Sequence, residues 1–255
     1  LDLGTLMRGR HVLVTGASSG LGQHFARLCA KNGATVTVGA RRRDRLEALV
    51  RDLLELGAEG AKAVDLDVTD TASVAHAIAS AGAAAPLDVV VNNAGVPDNK
   101  PALDIDEALY DTVVDTNVKG VWAVSTEAAR AWREAGRGGV IVNIASILGR
   151  RVSGAVSVYA TTKAAVVQMT AAHALEWARY GIRVNALAPG YIATEINDEF
   201  FQSEPGQALI KRIPMRRLGR MEDLDAPFLL LATDASPWMT GSCLAVDGGH
   251  LVSGL

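Results

Sequence analysis

The chain has 255 residues, 49% of them hydrophobic and 21% charged, with a formal net charge of −3 at pH 7. That composition supplies the core of a single globular domain and excludes a disordered chain. No block of lysine and arginine reaches the length of a nucleic-acid or membrane patch, so neither partner is expected.

No apolar run approaches the roughly 18 residues of a membrane span. The first ten residues, "LDLGTLMRGR", lack the apolar stretch of a secretion signal. The two cysteines, Cys29 and Cys243, stand far apart and in no CxxC spacing, which argues against a disulfide framework or zinc site and for a cytoplasmic setting. The five histidines, His11, His24, His76, His173 and His250, show no metal-ligand spacing, so no metal is expected.

In chain order, the first strand is read at 11–16 ("HVLVTG") and the glycine-rich "TGASSGLG" at 15–22 follows it directly. A helical pattern, "LGQHFARLCAKNG", leads to a second strand at 34–40. Another, "DRLEALVRDLLELG", opens at Asp44 as N-cap and ends at Gly57. Further strands are read at 61–67, 87–95, 139–146, 182–190 and 242–249. These runs are near-continuous in Val, Ile and Leu, the mark of strands buried on both faces. The expectation is one α/β domain over 1–255, a doubly wound parallel sheet of about seven strands with helices on both faces.

Two helical stretches, 107–132 and 159–178, carry apolar residues around more than one face: Val113, Val121 and Trp122 in the first, Val166, Leu175 and Trp177 in the second. A sheet covers only one side of a helix. The expectation is a two-fold subunit interface, in a dimer or tetramer, with burial under residues 191–220 as the alternative.

Glycines between a first strand and a first helix have a mechanical use. Gly16 permits the tight turn, Gly20 lets backbone approach a pyrophosphate, and Gly22 allows close helix packing, while the helix N-terminus offers unpaired N–H groups to the phosphates. A dinucleotide is implied. An enzyme that selects a free ribose places an acid at the end of the second strand; here Ala40 is followed by Arg41, Arg42 and Arg43. Arg41 can grip a 2′-phosphate, so NADP(H) is expected, with NAD(H) the alternative.

Tyr159 and Lys163 stand four apart on a helix and share one face. A fixed ammonium beside a phenol favours the phenolate and makes the tyrosine a usable acid or base.

The Gly-x-x-x-Gly-x-Gly spacing after Thr15 resembles the short-chain dehydrogenase/reductase superfamily. "NNAG" at 92–95, Asn117 in "DTNVKG", Ser146 in "NIASILG", "YATTK" at 159–163 and "APGYIAT" at 188–194 stand in that family's order across essentially the whole chain. The resemblance implies a Rossmann fold and a catalytic set of Asn117, Ser146, Tyr159 and Lys163. In that set Lys163 holds the nicotinamide ribose, Ser146 the substrate oxygen, and Asn117 a water linking Lys163 to solvent. It also implies that Ser18, Ser19 and Leu21 lie at the phosphates, Asp67 and Val68 flank the adenine, and Asn93, Ala94 and Gly95 line the ribose side. Pro189, Gly190, Ile192 and Thr194 belong to the nicotinamide side. NADP(H)-using relatives often place a basic residue just before the second loop glycine, where this chain has Ser19.

The implied activity is hydride transfer between a ketone or β-keto compound and a secondary alcohol, on a small-molecule substrate. The pocket is expected within a lid at 191–220, with Tyr191, Phe200 and Phe201 on one wall and Leu148 and Val152 on the other. Basic lid residues such as Lys211 and Arg212 leave a 3-oxoacyl thioester reductase open, although such reductases commonly carry an arginine where Leu175 stands. A catalytically silent nucleotide sensor or scaffold is the alternative from another class.

Overall fold

In the computed structural model, which describes residues 6–194 and 198–253, strands and helices alternate as the sequence pattern requires. The first half comprises β1 (His11–Thr15), α1 (Gly20–Lys31), β2 (Thr35–Ala40), α2 (Arg43–Glu55), β3 (Gly60–Asp65), α3 (Thr71–Ala84) and β4 (Val89–Asn92). There follow α4 (Glu107–Val114), α5 (Gly120–Glu134), β5 (Gly139–Ile144), α6 (Ser157–Trp177) and β6 (Ile182–Pro189). The last part holds α7 (Asp198–Gln202), α8 (Glu204–Ile210), α9 (Asp225–Ala232) and β7 (Cys243–Val246).

The seven strands form one parallel sheet in the order β3-β2-β1-β4-β5-β6-β7. All residues of β1 and β4 are buried, which is why both read as unbroken β-branched and leucine runs. One face carries α1, α2 and α9, where the rings of Phe25 and Phe228 stack 4.5 Å apart and Leu46, Leu49 and Leu53 fill the space beside them. The other face buries Val74 and Ile78 of α3, Val124 and Trp132 of α5, and Ala174 of α6.

Sequence order reverses between β1 and β4, so the connections leave in opposite directions and open a crevice at the carboxyl ends of the strands. The rotation of α6 against this edge is set by a buried polar row. Asn92 donates to Ser125 Oγ on α5 and to Asn143 Oδ1, and Asn143 donates to Thr170 Oγ1 on α6, each at 2.8–2.9 Å.

Three expectations are refined. Asp44 is not the N-cap of α2: Arg42 holds that place and Asp44 lies in the first turn, where its charge faces the helix's positive end. Leu56 and Gly57, at φ +103°, close the helix as expected. The 107–132 helix is interrupted by a π-turn at Asp115–Lys119, which brings Asn117 to the buried side. Trp122 of α5 and Leu175 of α6 stay 44% and 83% exposed, so residues 191–220 do not cover them. That long segment instead closes on itself: Ile192 pairs with Gly219, and Gly219 N–H donates to Tyr191 C=O at 2.9 Å. Among the described residues no helix is long and apolar enough to cross a membrane.

One packing contact is tight enough to test the core. A Cβ on Gly139 would stand 2.4 Å from the Trp132 indole, whose Nε1–H is held by Leu87 C=O at 2.7 Å and whose ring is buried. Gly139→Ala should therefore destabilise the fold by about 1–3 kcal/mol, the usual cost of overpacking. Thermal unfolding checks this, and an unchanged Tm would show that the indole yields.

Candidate active site

A cleft of about 600 Å³ lies over the carboxyl ends of the strands, where the topology opens the crevice. Its floor is the point at which β1 and β4 part. Thr15 Oγ1 accepts from the N–H groups of Asn93 (3.0 Å) and Ala94 (3.1 Å), and the Asn93 amide donates to Thr15 C=O and Gly16 C=O. Gly16 turns the chain at φ +64°, and a Cβ there would meet Ala94 Cα at 2.8 Å. Gly22 packs more closely still, since its Cβ would stand 2.4 Å from Asn93 Nδ2. Gly20 also needs a positive φ, +56°, but has open space where its side chain would be.

These features fit a dinucleotide phosphate. The N-cap of α1, Ser19, makes no side-chain cap bond, and the first turn holds no acid, so the positive end of the helix is uncompensated. Gly16, Ser18, Ser19 and Leu21 line this end of the cleft, with Arg41, Asp67 and Val68 beyond them. Thr69 hydrogen bonds hold the Asp67 carboxyl below its usual range, with a smaller pull from Arg41. Asn93, Ala94 and Gly95 lie at the middle, and Pro189, Gly190, Ile192 and Thr194 along the far side.

At the other end Ser146, Tyr159 and Lys163 converge on the same cleft. Ser146 follows β5, is 8% exposed, and its Oγ accepts the Leu148 N–H at 3.1 Å. The Tyr159 phenol is raised above its ordinary value by burial, and a hydrogen bond with Ser146 offsets part of that rise. Lys163 is buried and its ammonium donates to Ile144 C=O at 2.7 Å; burial lowers its pKa to about 8. Its Nζ lies 5.5 Å from the centre of the Tyr159 ring, so the expected depression of the phenol by this ammonium does not outweigh burial.

A family model described as enoyl-(acyl carrier protein) reductase, of the short-chain dehydrogenase/reductase type, matches residues 16–250. The chain is 39% identical over 258 residues to L-rhamnose 1-dehydrogenase (NAD(P)(+)) of Azotobacter vinelandii, covering 97% of this chain and 99% of that one. It is 39% identical over 257 residues to galactitol 2-dehydrogenase (L-tagatose-forming) of Cereibacter sphaeroides, covering 99% and 100%. A gluconate 5-dehydrogenase from Burkholderia cenocepacia, solved with NADP and tartrate, superposes with a TM-score of 0.93 at 32% identity over the full length of both chains. This chain belongs to the short-chain dehydrogenase/reductase family. As a member it is an NAD(P)-dependent oxidoreductase acting on CH–OH groups.

In this short-chain dehydrogenase not every residue of the expected site lines the cleft. Asn117 is fully buried and does not line the cleft; its side chain accepts the Val96 N–H at 2.8 Å and donates to Val96 C=O and Thr162 Oγ1. Leu148 and Val152 do not line the cleft either. The chain after Ser146 enters a tight turn at Ile147–Gly149, packed so closely on α6 that a Cβ at Gly149 would strike the Lys163 carbonyl at 2.8 Å, and Val152 ends 86% exposed. Val96 and Pro97 line the cleft instead, together with Tyr191, whose ring meets Phe201 edge-on at 5.9 Å. Phe200 remains 47% exposed. Arg42 was also missed: its guanidinium donates to Ser18 Oγ (2.8 Å) and Ser19 Oγ (3.0 Å), placing a cation beside the loop at Ser19. The only sequence signal was its adjacency to Arg41.

The Lys163 shift gives a pH prediction. A lysine with its pKa lowered to about 8 is charged below that pH and neutral above it. With Lys163 needed as a cation, kcat/KM for carbonyl reduction, which reports the free enzyme, should fall as pH rises through about 8. A profile flat to pH 10 would contradict a charge requirement at this residue.

Proposed function

We propose that this chain is an NADP(H)-preferring dehydrogenase that interconverts a secondary alcohol and a ketone on a small polyhydroxylated or β-keto substrate, with Tyr159 as the general acid and base. The observation that carries this reading is the convergence of Ser146, Tyr159 and Lys163 at one end of a cleft whose other end is a phosphate-type loop. NADPH, when bound, would supply the hydride to the carbonyl carbon. Ser146 Oγ, which lines the same end of the cleft, would donate to the carbonyl oxygen as that oxygen gains charge. Tyr159, whose raised pKa keeps the phenol protonated at neutral pH, gives that oxygen its proton. Lys163 would hold the nicotinamide ribose, and Asn117, from its buried place, fixes the loop after β4.

The preference for NADP(H) rests on Ala40, which ends β2 without a carboxylate, and on Arg41 and Arg42, both of which line the cleft. Residues 191–220 act as a substrate lid, anchored by the Ile192–Gly219 pairing. A polyol or sugar substrate is supported by the rhamnose and galactitol dehydrogenases at 39% identity. An acyl thioester is less favoured because Leu175, exposed on α6, supplies no cation. Both cysteines are free, which suits a reducing compartment.

Nicotinamide absorbance followed over a panel of keto-sugars, β-keto esters and acyl thioesters, with NADPH and NADH in parallel, tests the reading. Tyr159→Phe should bind NADPH as the parent does and lose about 10²–10⁴-fold in turnover, the usual worth of a positioned acid. Parent-like turnover in that variant would remove Tyr159 from the mechanism, and tighter NADH than NADPH binding would remove the arginine reading.

The uncovered Trp122 and Leu175 support a two-fold interface built from α5 and α6 in a dimer or tetramer. Sedimentation at micromolar concentration should show an oligomer that Leu175→Glu weakens. A monomeric parent would end this part of the proposal.

A further inference from the structure

We infer that Asp98 is a positioning residue for Tyr159, a role that rests on the assignment of Tyr159 as the acid and base. Asp98 lies three residues past Gly95, is 5% exposed, and does not itself line the cleft. Its Oδ2 accepts the N–H of Val158 at 2.9 Å, the residue immediately before Tyr159. The N-cap of α6, Val156, makes no side-chain cap bond, and an acceptor for this helix start comes instead from Asp98, in the chain that follows β4.

That bond closes a circuit. Asn117 clasps both backbone groups of Val96 and donates to Thr162 Oγ1, and Thr162 Oγ1 donates to Tyr159 C=O at 2.7 Å. From Val96 the chain passes through Pro97 to Asp98, and from Asp98 the hydrogen bond leads to Val158 and back to Tyr159. The backbone of Tyr159 is thus held on one side through Thr162 and on the other through Asp98. Without the Asp98 contact the Val158 N–H at the start of α6 loses its acceptor, and the backbone leading into Tyr159 keeps only the hold through Thr162.

Two further observations mark the contact as costly. Asp98 Oδ1 is buried with no hydrogen-bond partner among the described groups, an arrangement that carries a desolvation cost. The residues that shape the two joined loops, Asn99 and Ala155, sit at φ +48° and +59°, where side chains other than glycine are strained. A positive φ on each side of this hydrogen bond, with an unsatisfied oxygen on the acceptor, is consistent with a contact that sets a geometry.

The test compares Asp98→Ala, which removes the acceptor, with Asp98→Asn, whose amide oxygen can replace it. Three quantities are read: kcat at saturating NADPH, the Kd for NADPH, and hydrogen exchange at the Val158 amide. Asp98→Ala should lower kcat about tenfold or more, in line with the sensitivity of a reacting group to a displacement of about 1 Å. Its NADPH Kd should stay within about twofold, since the phosphate end of the cleft lies elsewhere, and Val158 should lose protection. Asp98→Asn should keep Val158 protected and restore kcat to within about threefold of the parent. Asp98→Ser, one atom too short to reach, replaces the alanine variant if that fails to fold. The inference is overturned if the acceptor-deleted variant turns over like the parent, if its loss appears equally in nucleotide binding, or if asparagine is no better than alanine. Tyr159→Phe separates the two readings: an inactive Tyr159→Phe with a fully active Asp98→Ala defeats this inference alone, and an active Tyr159→Phe defeats the assignment beneath it.

Discussion

The site depends on one topological constraint, the parting of β1 and β4. Two parallel strands that leave a sheet in opposite directions expose backbone groups at their carboxyl ends, and those groups need partners. Thr15 and Asn93 supply them: a single hydroxyl accepts two N–H groups from the β4 side, and a single amide donates to two carbonyls on the β1 side. The result is a rigid floor on which a Cβ at Gly16 or Gly22 has no room. Everything that lines the cleft is placed relative to that floor.

The second level of order is the helix that carries Tyr159 and Lys163. α6 is tied to the sheet by the buried row running through Asn92, Asn143 and Thr170, which fixes its rotation, and to the cleft by Lys163, which reaches Ile144 C=O. Burial then sets the electrostatics: it raises the Tyr159 phenol and lowers the Lys163 ammonium, so the two groups are driven apart in pKa and the lysine comes to lie below the phenol. A proton donor that is neutral at physiological pH and a nearby cation within reach of deprotonation follow from the same loss of water.

Much of this was legible from residues alone, and the limits have physical reasons. Strands were readable because burial on both faces leaves only β-branched and leucine side chains, as in "HVLV" and "DVVV". Tyr159 and Lys163 were readable because a spacing of four fixes a shared helix face. Arg42 could not be separated from Arg41 in sequence, because the direction of each side chain is set by where β2 ends and α2 begins. That Leu148 and Val152 lie outside the cleft lining was not legible, because the path of the chain after Ser146 depends on how Gly149 packs against Lys163. Val96 and Pro97, which do line the cleft, directly follow "NNAG", but nothing in their identity says so.

The pairing of Ile192 with Gly219 has a consequence for how such a protein can change. Because the two ends of that excursion are joined by backbone hydrogen bonds, lengthening it adds only a slowly growing entropic cost. The far end of the excursion is fastened separately, where Met215 N–H donates to Gly248 C=O and Ile213 is buried against the same loop. A change of length in α7 or α8 is therefore absorbed between two fixed points, and the strands beneath keep their register.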